Sequence, residues 1–201
     1  MMDVSAGARE LMGDSELLAG AYEMASRSHH GQRRKDNGAP YVTHPVRVAR
    51  LVQAEGLGEE VVAAALLHDV VEDSDVSLSE IARRFGPAVA ELVGALTEDD
   101  RIADYEERKA EHRDRVEAAG PAAVAVYTAD KLANLRDMRR LYAEIGEPAA
   151  ERFTAPLDLR ARLWLEDAAL AERSLPEGAL AGELRAEAEG FVLDRRAALT
   201  R

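Results

Sequence analysis

An all-α fold, packed as one compact domain of about eight to ten helices, follows from three features of this 201-residue chain. Hydrophobic residues make up 47% of it, enough for a single sizeable core. Aromatic residues contribute only 4% while Ala and Leu abound, which favours helices packed through aliphatic side chains over a β-sandwich. Apolar positions recur at helical spacing in segment after segment, with Gly and Pro marking the breaks. Residues 1–201 are therefore read as one domain.

The first amphipathic helix runs from Ser15 to about His30, with Leu17, Leu18, Ala21, Met24 and Ala25 along one face. GQRRKDNGAPYVTHP follows as a polar loop that turns into a short helix, His44 to Ala54, with Pro45 suited to its first turn. Glu59 to Asp69 (EEVVAAALLHD) is dense in apolar residues and predicts a buried helix. The spacing of Ser77 and Glu80 is that of a capping box, opening a helix that stops at Gly86-Pro87, and Ala88 to about Thr97 forms the next.

Ile102 to Ala118 is highly charged and predicts an exposed helix. Pro121 then starts AAVAVYTADKLANLRDMRRLY, which predicts a buried helix of about twenty residues. Leu157 to Arg173 and Leu180 to Leu199 complete the set, and no internal repeat is apparent.

Composition narrows the function. No run approaches the length of a membrane span, and the N-terminus lacks the basic and apolar segments of a signal peptide, so the expected location is the cytoplasm, away from membranes. Zero cysteines exclude thiolate metal sites and cysteine nucleophiles. A net charge of −12 argues against broad binding to nucleic acid; a small phosphorylated substrate instead requires a local basic pocket in an acidic protein.

The densest chemistry is His68-Asp69 followed by Glu72-Asp73, where a buried helix meets a loop. Imidazole and carboxylates at the end of an Ala/Leu/Val helix must be paired, hydrogen-bonded or metal-bound to offset desolvation. A helix end reaching solvent is the bland alternative. His44 before Pro45, and Asp130 inside the apolar run AVAVYTADKL, add two ligand types where polarity is unexpected. Two His and two Asp suit a divalent ion such as Mn²⁺ with positions left for water and substrate, and ligand type leaves zinc and iron open.

These residues lie within five ordered stretches: H-x-G-Q-x-R-K-D at His29 to Asp36, P-Y-x-x-H-P at Pro40 to Pro45, A-L-L-H-D-V-V-E-D at Ala65 to Asp73, F-G at Phe85-Gly86, and D-K-L-x-N-L-R-D at Asp130 to Asp137. In them the chain resembles the HD-type hydrolase domain of the RelA/SpoT alarmone enzymes, and more closely the stand-alone small alarmone hydrolases, including the animal type. The resemblance covers about residues 15–142, with helices over about 149–200 beyond it. It implies an HD-domain helical bundle that hydrolyses guanosine 3′,5′-bis(diphosphate) or its pentaphosphate analogue, releasing pyrophosphate and GDP or GTP. No synthetase domain fits in the chain, which would then only degrade alarmone in a stringent-type stress response.

The resemblance further implies that His44, His68, Asp69 and Asp130 ligate the metal, while Glu72 and Asp73 position and activate the attacking water. It places Arg34 and Lys35 beside the purine, Asn134 on the sugar, and Arg108 and Lys109 near the phosphates. Taken alone, Arg34 and Lys35 also read as a solvated loop, Arg108 and Lys109 as an exposed charged face, and Asn134 as an internal hydrogen bond. Trp164 falls where an aromatic flanks the base, though a single helical Trp is more often core. Tyr127-Thr128-Ala129 replaces the usual K-L-A before the late aspartate, and Ala133 replaces an aromatic or His before Asn134. These changes touch the pocket wall and leave the ligand set intact. Removal of the 2′-phosphate of NADPH, or action on another phosphorylated nucleoside, is the enzymatic alternative; a nucleotide-sensing module that does not catalyse ranks lower, because all six metal and acid positions are kept.

Overall fold

The computed structural model describes residues 4–152 and 155–200. Among them the chain forms eleven α-helices: α1 (Val4–Met12), α2 (Glu16–Ser28), α3 (Thr43–Ala54), α4 (Glu59–Leu67), α5 (Val70–Asp73), α6 (Leu78–Phe85), α7 (Pro87–Leu96), α8 (Tyr105–Ala119), α9 (Pro121–Ile145), α10 (Leu157–Ser174) and α11 (Ala179–Leu199). A 3₁₀ turn, Glu147–Arg152, joins α9 to the C-terminal pair. The only β-type pairing among the described residues is an isolated bridge between Arg33 and Pro40.

Two of the eleven helices lie outside the sequence reading. Helix α1 is too short to persist alone and forms because Ala8 and Leu11 are buried where it packs on α2 and α3. The predicted helix Glu59 to Asp69 breaks at His68: the His68 ring meets the Ala65 carbonyl at 2.8 Å, the acceptor that a continuous helix would offer to the Asp69 amide. The chain turns there and resumes as α5, a single turn that carries Glu72 and Asp73.

Capping residues set several other boundaries. The Ser15 hydroxyl accepts from the Leu18 amide and starts α2, and the Ser77 hydroxyl accepts from the Glu80 amide and starts α6. Gly86 ends α6 and precedes α7 with φ +90°, a conformation any L side chain would strain, and Pro87 then fits the first turn of α7.

Helices α4 and α9 form the middle of the molecule. Val62 to Leu67 of α4 are buried without a gap, and α4 packs against α2, α3, α7 and α9. Helix α9, 25 residues long, is buried along most of its first half and touches α3, α4, α7, α8, α10 and α11. The contrast with α8 is as the charge pattern predicts: only His112 and Val116 of α8 are buried. No described helix is long and apolar enough to cross a membrane.

The C-terminal pair α10–α11 closes the core through an aromatic joint. Phe191 is fully buried and meets Trp164 and Tyr142 edge-on, each at 5.5 Å between ring centroids. Replacing Phe191 with Ala is expected to cost about 3–5 kcal/mol, because the surrounding rings cannot collapse into the space. Urea unfolding measures it; a loss under about 1 kcal/mol would place the joint outside the cooperative core.

Candidate active site

The loop before α3 is an ordered turn. Arg34 N–H donates to Ala39 O at 2.9 Å, Gly38 N–H to Arg34 O at 3.0 Å, and Tyr41 N–H to Gln32 O at 3.0 Å, so Tyr41 and His44 are delivered to the start of α3 at the protein's centre. The α4–α5 break supplies His68 and Asp69 from one side, and α9 supplies Asp130 from the other.

His44, His68 and Asp130 converge, with one potential ligand atom from each lying within 4.8 Å of the others. His44 Nε2 is 3.0 Å and His68 Nε2 3.7 Å from Asp130 Oδ1. Asp69 adjoins the trio, 3.2 Å from His68 Nε2 and 3.7 Å from His44 Nε2. Three of the four sequence-predicted ligand residues thus converge, and the fourth, Asp69, lies against both histidines. His68 Nδ1 is engaged by the Ala65 carbonyl, which turns Nε2 inward, buried and without a hydrogen-bond partner. Two imidazoles, two carboxylates and an orphaned inward nitrogen form a donor set that fits a divalent cation.

Electrostatics agree with that fit. Burial pushes the His44 pKa down despite the Asp130 and Asp69 charges, which favours the neutral ligand form. Burial alone would raise Asp130, yet the Lys131 ammonium and the two imidazoles hold it well below the usual carboxylate range. Burial would likewise depress His68, but Asp69 and Asp130 raise it, so its proton stands where a cation would stand.

Neighbouring side chains hold these ligands in place. Tyr41 Oη donates to Asp69 Oδ2 at 2.8 Å, Lys131 Nζ to Asp130 Oδ2 at 2.8 Å, and Asn134 Nδ2 to Asp130 Oδ1 at 2.6 Å. Asn134 also accepts from Arg34 Nη2 at 3.0 Å, so its internal hydrogen bonds and its place beside the site coincide.

Glu72 and Asp73 stand at the rim on α5. Much of each side chain reaches solvent, but protein atoms crowd the Glu72 carboxyl; burial first, then the charges of Asp69 and Glu98, push its pKa up to about 7. The Glu98 backbone N–H donates to Glu72 Oε1 at 2.6 Å. Asp73 is also raised, by burial and by Asp69, and its Oδ2 lies 3.7 Å from the buried His29 Nδ1.

Beside the cluster a cleft of about 260 Å³ gathers five cations, Lys35, Lys109, Arg113, Lys131 and Arg160, with Asp167 as the one acid in its wall. Asn134, Tyr105, Leu163 and Trp164 also line it. This is the basic pocket that an acidic chain needs for an anionic ligand. Asp167 is committed to Tyr127 Oη at 2.8 Å and Arg113 at 3.3 Å. Trp164 is both core and wall: buried against Phe191, it lies beneath the Arg160 guanidinium at 5.3 Å.

The expected binding residues separate. Lys35, Lys109 and Asn134 line the cleft, whereas Arg34 and Arg108 are absent from its wall. Arg34 lies over the Tyr41 ring at 5.5 Å and donates to Asp137 at 2.9 Å. Arg108 and Lys109 are not on an exposed charged face: both are largely covered, and both pair with Glu98. The sequence alone does not single out a role for Lys131, Arg113, Arg160, Tyr41 or Glu98. Lys131 alone carries a sequence signal, as a second charged residue next to Asp130 in a buried run; the rest lie on separate helices or in a turn.

Asp137, buried under Arg47, Arg34 and Arg140, is the anchor of the Arg34 loop. Burial would raise its carboxyl, but the Arg47 hydrogen bond and the three guanidinium charges outweigh it and hold the pKa low. A depressed folded pKa contributes stability that is complete above the unfolded value of about 4 and is lost as pH falls through the folded one. Asp137→Asn is therefore expected to be destabilising at pH 7, with the gap to the parent closing on acidification. Urea midpoints at both ends of that range check it; a constant gap contradicts it.

Comparison with known proteins places this geometry. The sequence profile of the HD domain matches residues 21–155, which hold every residue of the histidine–aspartate cluster and both rim acids. The chain is 45% identical over 134 residues to the human guanosine-3′,5′-bis(diphosphate) 3′-pyrophosphohydrolase MESH1, covering 65% of this chain and 74% of that protein. It is 34% identical over 155 residues to the Aquifex aeolicus guanosine-3′,5′-bis(diphosphate) 3′-pyrophosphohydrolase, covering 75% of this chain and 22% of that one. Among solved structures, a metazoan ortholog of SpoT that hydrolyses ppGpp superposes with a TM-score of 0.70 at 28% identity, over 90% of this chain and 96% of the other. A profile match across most of the chain, and a histidine–aspartate cluster at the break that follows the buried helix α4, make this protein a member of the HD-domain family.

Proposed function

We propose that this protein is a metal-dependent hydrolase of guanosine 3′,5′-bis(diphosphate) and its pentaphosphate analogue, releasing pyrophosphate and GDP or GTP. The observation that carries the reading is the juxtaposition of a His–His–Asp cluster with a five-cation cleft, in a chain that resembles enzymes of that activity over most of their length. His44, His68, Asp69 and Asp130 would hold the cation, for which Mn²⁺ suits the mixed nitrogen and oxygen donors. When bound, the cation supplies Lewis acidity and neutralises charge on phosphoryl oxygens.

The chain's own residues do the rest. Lys35, Lys109, Lys131, Arg113 and Arg160 attract the phosphates into the cleft, and Asn134 stands between cleft and cluster where a sugar hydroxyl could meet it. Arg34, set by Asp137 and Asn134 over Tyr41, offers a fixed guanidinium to a purine; Lys35 follows it on the same turn. Glu72 takes the proton of the attacking water as the new oxygen–phosphorus bond forms; the bond from the 3′ oxygen to phosphorus breaks, and that oxygen leaves with the electron pair and takes up a proton from solvent to become the 3′ hydroxyl of GDP or GTP. Asp73, beside His29, helps to hold that water.

A nucleotide panel assayed with Mn²⁺ and scored for pyrophosphate against orthophosphate tests the reading. Pyrophosphate from the guanosine bis(diphosphate) is the expected product. Orthophosphate from NADPH as the main activity would replace the substrate and keep the site, and tight binding without turnover of any member would remove the enzymatic reading.

A further inference from the structure

Glu98 opens the acidic run Glu98-Asp99-Asp100, which in sequence reads as a solvated turn between α7 and α8. Asp99 pairs with its own neighbour, the exposed Arg101, and stays on the turn. Glu98 turns inward instead, its side chain only 18% exposed. It makes contacts in two directions. Its backbone N–H holds Glu72 Oε1 at 2.6 Å, while its carboxylate accepts from Arg108 Nε at 3.2 Å and from Lys109 Nζ, and lies 3.6 Å from His112 Nδ1. Arg108 is tied a second time to the same turn by donating to Ile102 O at 2.8 Å. Lys109 is a wall of the cationic cleft.

We infer that Glu98 is a positioning residue that couples the cleft to the hydrolytic carboxylate: its side chain, clamped by Arg108 and Lys109, fixes the backbone amide that aims Glu72, and the same side chain partly neutralises Lys109 until a phosphate arrives. The inference rests on the functional reading above. Its first consequence is geometric, since an amide on an unanchored turn still exists but no longer holds Glu72 in one place, and sub-ångström errors at a reacting carboxylate are expensive in rate. Its second is electrostatic, since a carboxylate in contact with Lys109 competes with any anion for that ammonium.

The two consequences have opposite signs, which separates them from a general loosening of the fold. Glu98→Gln keeps the size of the side chain and removes its charge. Steady-state kinetics with Mn²⁺ are expected to show kcat reduced about ten- to a hundredfold with KM unchanged or lower, whereas Glu98→Asp, which retains the charge, recovers part of kcat. In metal-free protein, inorganic pyrophosphate titrated against the emission of Trp164, the sole tryptophan and itself a wall of the cleft, is expected to bind Glu98→Gln roughly two- to fivefold more tightly than the parent. An unchanged kcat, a KM that rises as kcat falls, or pyrophosphate binding no tighter than in the parent overturns the inference. A parent chain inert towards the guanosine bis(diphosphate) fails the functional reading instead, and the pyrophosphate titration, which needs no turnover, still judges Glu98.

Discussion

His68→Ala is expected to abolish both bound metal and turnover, lowering the rate by on the order of a thousandfold or more, since several kcal/mol of charge stabilisation leave with the cation. The geometry makes His68 the decisive choice. Its Nδ1 is committed to the Ala65 carbonyl, so its Nε2 has no role other than to face Asp69 and Asp130. Removing the ring leaves two carboxylates and one imidazole, one donor short of the parent set and with a gap on the side of the α4–α5 break, so the cation is held less tightly and in a different geometry. Metal content by mass spectrometry and turnover in the same preparation are the measurements. A variant that retains one equivalent of metal and near-parental activity would remove His68 from the ligand set. Metal affinity of the parent is also expected to rise with pH: Asp69 and Asp130 raise the His68 pKa, so at low pH a proton occupies the position the cation needs.

Glu72→Gln is expected to keep the metal and lose about 10²–10⁴-fold in kcat, the range for a positioned general base. The amide can still accept the Glu98 N–H, so the side chain stays in place and only its basicity goes. In the metal-free protein burial, with the charges of Asp69 and Glu98, pushes the Glu72 carboxyl up to about 7. A cation at the adjacent ligands offsets the negative charge of Asp69 and lowers that value, so the acid limb of the loaded enzyme is expected below pH 7, with activity falling as Glu72 takes up its proton. Glu72→Gln should abolish that limb in the residual rate. An unaltered kcat, or an acid limb that survives the substitution, would transfer the role to Asp73, whose carboxyl lies by His29 on the same turn.

Much of this protein is legible in one dimension. Nine helices follow from the period of apolar residues and from caps such as Ser77 and Gly86, because a helix is a local structure whose buried face is written at a fixed spacing. The four candidate ligand residues follow from polarity out of place: His68-Asp69 at the end of an apolar helix and Asp130 within one are costly unless something satisfies them. Helix α1 lay beyond that reach, since nine residues with a short apolar face depend on what they pack against. The break after Leu67 did too, because it arises from a side chain capturing a carbonyl.

The chain's residue types and spacings by themselves determined the all-α class, the order of the helices and the meeting of two histidines with two aspartates. Only the tertiary structure decided the cleft. Lys109 and Arg113 come from α8, Lys131 from α9 and Arg160 from α10, and Arg34 and Asp137, 103 residues apart, share a hydrogen bond. A periodic pattern reports which face of a helix is buried, but not which other helix covers it or which charges that contact brings together. Glu98 is the sharpest case: in sequence it is the first of three acids in a turn, and only the packing of α8 against α7 and α9 turns it inward, between the cations of the cleft and the carboxylate of Glu72.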